Sequence, residues 1–147
     1  MKLPYDFRSW IWILNGVPLG GFAAGDDAVM IERNEDSLSH EVGVTGEMSV
    51  SRSANRTGKI TFKFAANSAS NTYLGGLMAL QEGGTATWTS VRMQCQDQAL
   101  QDVATGTVGY IVKPASMTRG AKPGDMEWSL VFERLDMVYG GASVFDL

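Results

Sequence analysis

The sequence predicts a mainly β fold, a β-sandwich or barrel with one flanking α-helix. Three observations support this prediction. Apolar and polar residues alternate in several short runs, which is the period of half-buried strands. Turn residues separate these runs, and the chain of 147 residues contains 17 glycines. One stretch alone, residues 67–84, changes to helical spacing. The length fits a single domain over residues 1–147.

The N-terminal part predicts a β-hairpin. A bulky strand-like run, Trp10 to Leu14, is followed by Asn15-Gly16 and a second apolar run, and Asn-Gly between two such runs is the strongest local hairpin signal. The next candidate strand is DAVMIER, residues 27–33. Residues 34–46 then lack a sustained period and predict an extended loop, which is longer than a hairpin needs. Long loops in compact domains are usually functional or mobile.

Two half-buried strands are predicted after this loop. In EMSVSRS, Met48 and Val50 alternate with serines, and in KITFKF, Ile60, Phe62 and Phe64 alternate with lysine and threonine. The short segment ANRTG lies between the two runs. We therefore expect the two strands to form a β-hairpin.

Residues 67–84 predict one helix of about a dozen residues. Polar residues at its start are candidate N-caps, and Gly83-Gly84 is a stop signal. Gly75-Gly76 inside the helix would cost about 1 kcal/mol each relative to alanine. Close packing of the helix against a sheet is the expected compensation.

The remainder of the chain returns to strand patterns. These patterns occur in TATWTSVRMQC (85–95), TGTVGYIVKPASM (105–117) and EWSLVFERLDMVYGG (127–141). They complete the mainly β architecture.

Composition excludes several classes of protein. The net charge of −4 argues against general electrostatic attraction to nucleic acid or anionic lipid. Cys95 and His40 are the only residues of their types, so the chain can form neither an intrachain disulfide nor a Cys/His zinc site. The apolar run near the N-terminus is too short for a signal-peptide core or a membrane span. A soluble protein made in the cytoplasm is expected, without membrane insertion.

No catalytic constellation is evident. Asp26-Asp27 and the nearby acidic residues do not have the spacing of a calcium loop and are interpreted as surface charges. His40 lies in a polar segment without a nucleophile motif, and Cys95 has the parity of a core residue in a strand. The glycine pairs lack the spacing of a phosphate-binding loop. We expect no enzyme activity, no cofactor and no metal.

Charge is segregated along the chain. Residues 26–47 carry seven acidic residues and one basic residue, whereas residues 48–80 carry four basic residues and no acidic one. We interpret this as two electrostatic faces, which would orient copies of the protein on one another. Heterologous contacts of this kind generate rings and helical filaments.

The central sequence GDDAVMIERNEDSLSHEVGVTGEMSVSRSANRTGKITFKFAANSASNTYLGGL resembles the core of tail tube proteins from contractile-tailed, myovirus-type bacteriophages. The shared pattern comprises Gly-Asp before a strand, a following Glu-Arg, a Val-Gly-x-x-Gly-Glu loop, a Ser-rich strand and an S-x-S-N-x-x-L helix start. The later KPGDMEWSLVFERLDMVYGG is similar to the C-terminal part of that family. The resemblance covers about residues 21–141.

The resemblance implies a structural virion protein that forms stacked hexameric rings, with the subunit sheets joined into a continuous inner β-barrel. It implies a surrounding tail sheath, baseplate and tail terminator proteins as partners, and double-stranded DNA as transient cargo in the lumen. Assembly would take place in the host bacterial cytoplasm, and the type VI secretion tube is a related architecture. In this family a long loop reaches a neighbouring subunit, a place that residues 34–46 occupy here.

The charged residues of this region are therefore candidates for inter-subunit contact. They are Glu35, Asp36, His40, Glu41, Glu47, Arg52, Arg56, Lys59 and Lys63. Two alternatives stay open from the sequence. One is a small-ligand-binding β-barrel with a cavity lined by Trp and Met side chains, and the other is a baseplate or tail-completion module with the same fold.

Overall fold

The computed structural model describes residues 5–122 and 124–140. Within them lie one α-helix, a short 3-10 turn at Phe7–Ser9, and nine strands. The strands are β1 (Trp10–Leu14), β2 (Val17–Pro18), β3 (Val29–Arg33), β4 (Leu38–Val42), β5 (Met48–Arg52), β6 (Gly58–Ala65), β7 (Val91–Asp97), β8 (Val103–Ile111) and β9 (Asp125–Val138). The helix, α1 (Ala69–Glu82), lies between β6 and β7. The mainly β class with one helix is confirmed, although the termini of the predicted domain 1–147 lie outside the described residues.

Seven strands form one antiparallel sheet in the order β2-β1-β7-β8-β9-β6-β3. The longest strand, β9, pairs with both β6 and β8 and holds the sheet together. Alternate residues are buried in β6 and β7, as the sequence period predicts. The buried face of α1, through Leu74 and Met78, joins the same core as Phe62 and Trp128. The helix therefore covers one face of the sheet and leaves the other bare.

The predicted N-terminal hairpin is confirmed. β1 pairs with β2 in the register Leu14 to Val17, so Asn15 and Gly16 form a two-residue turn. Both have positive φ, 51° and 82°, which is the requirement that favours Asn-Gly here. The Asn15 side-chain oxygen also accepts a hydrogen bond of 2.8 Å from the backbone amide of Arg92 in β7. The turn is thus tied to the next strand of the sheet.

Phe132 in β9 lies against two glycines of β8. A Cβ at Gly106 would come within 2.7 Å of the ring, and one at Gly109 would overlap it. The ring itself is completely buried. Glycine at these two positions lets the ring lie directly on the backbone of the neighbouring strand.

The helix begins and ends where the sequence predicts. Ser68 is the N-cap, its hydroxyl accepting from the amide of Ser70, and Gly83 is the C-cap. The hydroxyls of Ser68 and Ser70 both donate to the Gly20 carbonyl, at 2.7 and 2.8 Å. Trp128 donates its indole N–H to the Asn71 side chain at 3.0 Å. These bonds fix the start of α1 against the β2–β3 connection and the sheet.

The expectation that Gly75-Gly76 allows close packing within the subunit is wrong. A Cβ at either position would meet nothing within 4 Å among the described residues. Leu74 and Met78 provide the contact with the sheet, so the two glycines are not needed for it. Their intrinsic cost to the helix, about 1 kcal/mol each, is not compensated by packing within the subunit.

Asp97 is a buried carboxylate at the end of β7. It accepts hydrogen bonds from the Ser9 hydroxyl at 2.6 Å and from the amides of Ala99 and Leu100 at 2.9 and 3.3 Å. Burial acts to raise the pKa of this carboxyl, but the three hydrogen bonds outweigh it and hold the pKa below its ordinary value. Asp97 thereby joins the 3-10 turn to the β7–β8 connection.

Three strand expectations are wrong. β5 pairs with β4, not with β6, and none of its residues is buried, whereas β6 pairs with β3 and β9. Residues 38–42 of the segment predicted as a loop form β4. The strand pattern at 85–90 is not realised, since β7 begins at Val91. The first error arises because the sequence shows that Met48 and Val50 alternate with serines, but not which strand lies beside them.

Candidate assembly interface

β4 and β5 form a two-stranded hairpin separate from the main sheet, residues 38–52, which we call the arm. At its base, the amide of Ser53 donates to the carbonyl of Ser37 at 2.9 Å. Every residue of the two strands is exposed. An isolated two-stranded hairpin is at best marginally stable in water. The stability of the arm is therefore expected to depend on a surface that covers it.

The arm has one apolar and one polar face. The register pairs His40 with Val50 and Val42 with Met48, so these side chains share a face with Leu38 and Arg52. The apolar members of this face are between 56% and 63% exposed. The opposite face consists of Ser39, Glu41, Ser49 and Ser51. An exposed apolar stripe beside a wholly polar one is typical of a surface that binds another protein.

Six of the nine predicted contact residues lie on the arm or beside it. They are Glu35 and Asp36 in the connection from β3, His40 and Glu41 on β4, Glu47 in the turn, and Arg52 at the end of β5. All six are exposed. Their role in contact between subunits remains a prediction.

The other three predicted residues lie on or near the main sheet. Arg56 is exposed, and its backbone carbonyl accepts from the Leu135 amide at 2.9 Å. Lys59 lies opposite Glu32 in the β3–β6 pair. Lys63 forms an ion pair of 2.7 Å with Asp27, and this hydrogen bond raises the pKa of the lysine. Lys63 is therefore ion-paired with a carboxylate of its own subunit, and Lys59 has a carboxylate on the neighbouring strand.

The expected division into an acidic and a basic face is not seen in the sheet. Because β3 pairs with β6, the acidic segment supplies the carboxylates that neighbour the basic residues of β6. Antiparallel pairing places the two segments side by side, so charge segregated along the chain is mixed in space. The acidic and basic residues of the two segments therefore do not form separate faces on this sheet.

The bare face of the sheet carries both polar and apolar side chains. Thr61 of β6 lies opposite Ser129 of β9, and Gln94 of β7 lies opposite Thr105 of β8. At the start of β9, Glu127 lies opposite Lys63. The same face also carries exposed apolar side chains, those of Met30, which lies opposite Thr61, and of Tyr110.

The residues considered for chemistry are placed as follows. His40 is exposed on the arm, and Cys95 is completely buried, so that burial raises the pKa of its thiol to about 12. Within residues 5–122 and 124–140, no three His, Cys, Asp or Glu side chains are grouped so as to hold a metal ion. In that same part of the chain, α1 is the one helix, and it is neither long nor apolar enough to cross a membrane.

The contact residues predicted from sequence are all charged or histidine and do not include the apolar face of the arm. The signal was present: Leu38, His40 and Val42 alternate with Ser39 and Glu41 in the segment predicted as a loop. Combined with Met48 and Val50, this alternation describes an amphipathic hairpin. The apolar face of such a hairpin usually lies in a hydrophobic core, but in this structure it is exposed to solvent.

Comparison with known proteins gives one family and several structural neighbours. The sequence profile of the bacteriophage PhiTE tail tube protein family matches residues 17–140. No curated protein matches the chain by sequence.

The structural neighbours share the fold at low sequence identity. The sheath/tube terminator of the extracellular contractile injection system PVC has a TM-score of 0.67 at 10% identity, covering 93% of this chain and 98% of the other. The tube-terminating cap of the anti-feeding prophage has a TM-score of 0.63 at 8% identity, covering 95% and 93%. A chain of the native gene transfer agent virion has a TM-score of 0.56 at 10% identity, covering 92% and 99%.

Proposed function

The chain belongs to the bacteriophage PhiTE tail tube protein family and is a structural component of a phage tail, and we propose that it self-assembles into stacked hexameric rings that form the inner tube. The tube would conduct the genome into the host during ejection. The subunit would perform no catalysis. Its work is mechanical, since it supplies a wall of defined diameter and a surface that lets DNA pass.

The observation that carries this proposal is the arm. It is a hairpin with an apolar face, it has no cover within the described residues of its own subunit, and it projects from one end of the sheet. A projection of this kind covers its apolar groups by contacting another molecule, and identical subunits repeat a heterologous contact until a ring closes or as long as a filament grows. Self-assembly follows from the same feature that leaves the isolated subunit with exposed apolar surface.

The bare face of the sheet supports the role as a conduit. DNA binding depends on cationic groups that neutralise phosphates and release counterions. On this face Lys63 is paired with Asp27, Lys59 lies opposite Glu32, and Thr61 lies opposite Ser129. A lumen lined by this face would hydrate DNA without holding it. We accordingly propose double-stranded DNA as transient cargo, not as a ligand.

The proposed partners follow from the same role. Copies of the chain form the rings, a tail sheath surrounds the tube, and baseplate and terminator proteins close its two ends. Assembly would take place in the host bacterial cytoplasm, and the finished protein would reside in the virion. The nine residues predicted from sequence remain candidates for subunit contact. Those on the arm are the stronger candidates, because within the described part of the chain they lack an intrasubunit ion pair of the kind that Lys63 of β6 forms with Asp27.

The ligand-binding alternative is not favoured. It requires an internal cavity lined by Trp and Met side chains, whereas Trp12 and Met93 are packed in the core, and Trp128 and Met126 border a groove that is open at the surface. A baseplate or tail-completion role with the same fold would use the same arm. It differs in forming a single ring and not an extended polymer.

Negative-stain electron microscopy of the purified protein tests the proposal. We expect hollow filaments whose projections show six-fold symmetry and whose length grows with protein concentration. Single rings at every concentration would favour the tail-completion role. Monomers at all concentrations and ionic strengths would refute self-assembly.

A matched variant tests the arm directly. Replacing residues 38–52 by Asn-Gly joins Ser37 to Ser53, whose backbones are already hydrogen-bonded, through a favoured two-residue turn. The main sheet does not use the removed residues, so the subunit is expected to fold and to remain unassembled. Filaments formed by this variant would remove the arm from the interface.

A further inference from the structure

A second surface lies at the opposite end of the sheet from the arm. It is an apolar groove of about 240 Å³ between α1 and the segment that follows β8. Gly75, Met78 and Ala79 of the helix form one wall, and Ala115, Met117 and Trp128 form the other. Met117 is 80% exposed. A surface helix normally presents charged residues to solvent, but between Ala69 and Gln81 α1 has none.

The positions of arm and groove follow from strand register. The arm leaves the sheet where Arg33 pairs with Gly58, the first residue of β6. The groove is bordered by Trp128 and Met126, which pair with Phe62 and Phe64 in the other half of β6. Four to six residues of strand separate them from Gly58, about 13–20 Å at the usual rise per residue. One molecule thus carries an apolar projection at one end and an apolar depression at the other.

The two surfaces are also complementary in charge. Arg52 is the one formally charged residue on the apolar face of the arm, and Glu82 is the one charged residue lining the groove. Among the described residues neither has an ion-pair partner. Opposite charges at the edges of two apolar surfaces fix the register of their contact.

We propose that the arm of one copy docks its apolar face into this groove of a second copy, with Arg52 beside Glu82. Such a contact joins unlike surfaces, so each added subunit presents a new arm or a new groove, and the assembly continues. Gly75 has a function in this contact: its missing side chain leaves space for the arm. The proposal rests on the self-assembly argued above and specifies the site that receives the arm.

A glycine pair provides a matched test. Gly75 lines the groove and its neighbour Gly76 does not, and a side chain at either position meets nothing within 4 Å in the subunit. Gly75→Leu is expected to fill the groove and to raise the protein concentration needed for filament formation by about tenfold or more. Gly76→Leu is expected to leave that concentration unchanged. Equal effects of the two variants would overturn the proposal.

Charge exchange tests the register. Arg52→Glu and Glu82→Arg are each expected to raise the concentration for assembly about tenfold, and the double variant is expected to return it to near the wild-type value. Filaments from the double variant that are no better than those from the single variants would contradict the pairing of these residues.

Disulfide trapping tests the contact even where no filament forms. Val50→Cys on one copy and Ala79→Cys on another should give a disulfide-linked dimer under oxidised glutathione, on a non-reducing gel. Ser49→Cys, on the polar face of the arm, is the control and should not link to Ala79→Cys. Cys95 will not interfere, because its thiol is buried. Wild-type filaments without the Val50–Ala79 link would overturn this docking site alone, whereas wild-type monomers would overturn the proposed function.

Discussion

Gly106→Ala is expected to destabilise the subunit through one contact. The new Cβ would lie 2.7, 2.8 and 2.9 Å from three ring carbons of Phe132, Cγ, Cδ1 and Cδ2. Ordinary van der Waals contact begins at 3.4 Å, so the ring would have to withdraw by roughly 0.7 Å, the difference between 3.4 and 2.7 Å. Phe132 is completely buried and also lies on Gly109, so it has little room to move.

Overpacking of a filled core costs about 1–3 kcal/mol. With a urea dependence of about 2 kcal/mol per molar for a domain of this size, the unfolding midpoint should fall by roughly 0.5–1.5 M. The buried Trp12 and Trp128 report unfolding by fluorescence. The measurement is made at protein concentrations below those that give filaments, because assembly would add to the apparent stability.

A double-mutant cycle isolates the contact. Phe132→Leu shortens the side chain, so Gly106→Ala should cost less in that background, with a coupling energy of about 0.5–3 kcal/mol. Gly76→Ala is the control for the chemical change alone, and it should stabilise the helix by about 1 kcal/mol because nothing crowds its Cβ. A neutral Gly106→Ala, or strict additivity with Phe132→Leu, would refute the steric reasoning.

Two further residues give independent predictions. Asp97→Ala leaves the Ser9 hydroxyl and two part-buried amides without their acceptor and should lower the free energy of unfolding by about 1–3 kcal/mol. Asp97→Asn keeps an acceptor and should cost less, and urea unfolding at pH 7 measures both. The pKa of Asp97 is lower in the folded state than its ordinary value of 3.8, so its ionised form stabilises the fold above about pH 4, and this stabilisation is lost as the pH falls further. The free energies of unfolding of wild type and Asp97→Asn should therefore converge in acid. A difference between them that stays constant with pH would contradict this. Cys95, whose burial raises its pKa to about 12, should not react with a thiol reagent at pH 8 until the protein unfolds, and rapid native labelling would contradict its place in the core.

The elements that the sequence predicts correctly are those with local causes. Asn15-Gly16 needs only its own backbone geometry, Ser68 caps a helix that starts at the next residue, and Ile60, Phe62 and Phe64 alternate regardless of which strands lie beside them. The bounds of α1 and the faces of β6 and β7 could therefore be predicted without knowledge of the tertiary structure.

The errors arise where the cause is distant in sequence. The close contact between the Phe132 ring and Gly106 involves positions that are far apart in sequence and that only the β8–β9 register brings together. The neutralisation of Lys63 depends on Asp27, which the β3–β6 pairing brings near. The contact residues predicted between 34 and 63 stay a prediction, whereas the expected burial of Met48 and Val50 is wrong, because alternation indicates an amphipathic strand and not which surface covers it.

The glycine pair of α1 links subunit stability to assembly. Gly75 and Gly76 together reduce helix stability by about 2 kcal/mol relative to alanine. Among the described residues of the subunit, no atom lies close enough to either position to require glycine there. If folding of the isolated subunit were the only requirement, alanine at both positions would be the better choice. In the docking proposed here, Gly75 gives the arm of the next copy access to the groove, and the contact that forms there offsets the cost. Gly75→Leu should therefore stabilise the isolated subunit and at the same time impair filament growth. Both effects from one substitution would show that stability of the subunit and assembly place opposite requirements on this position.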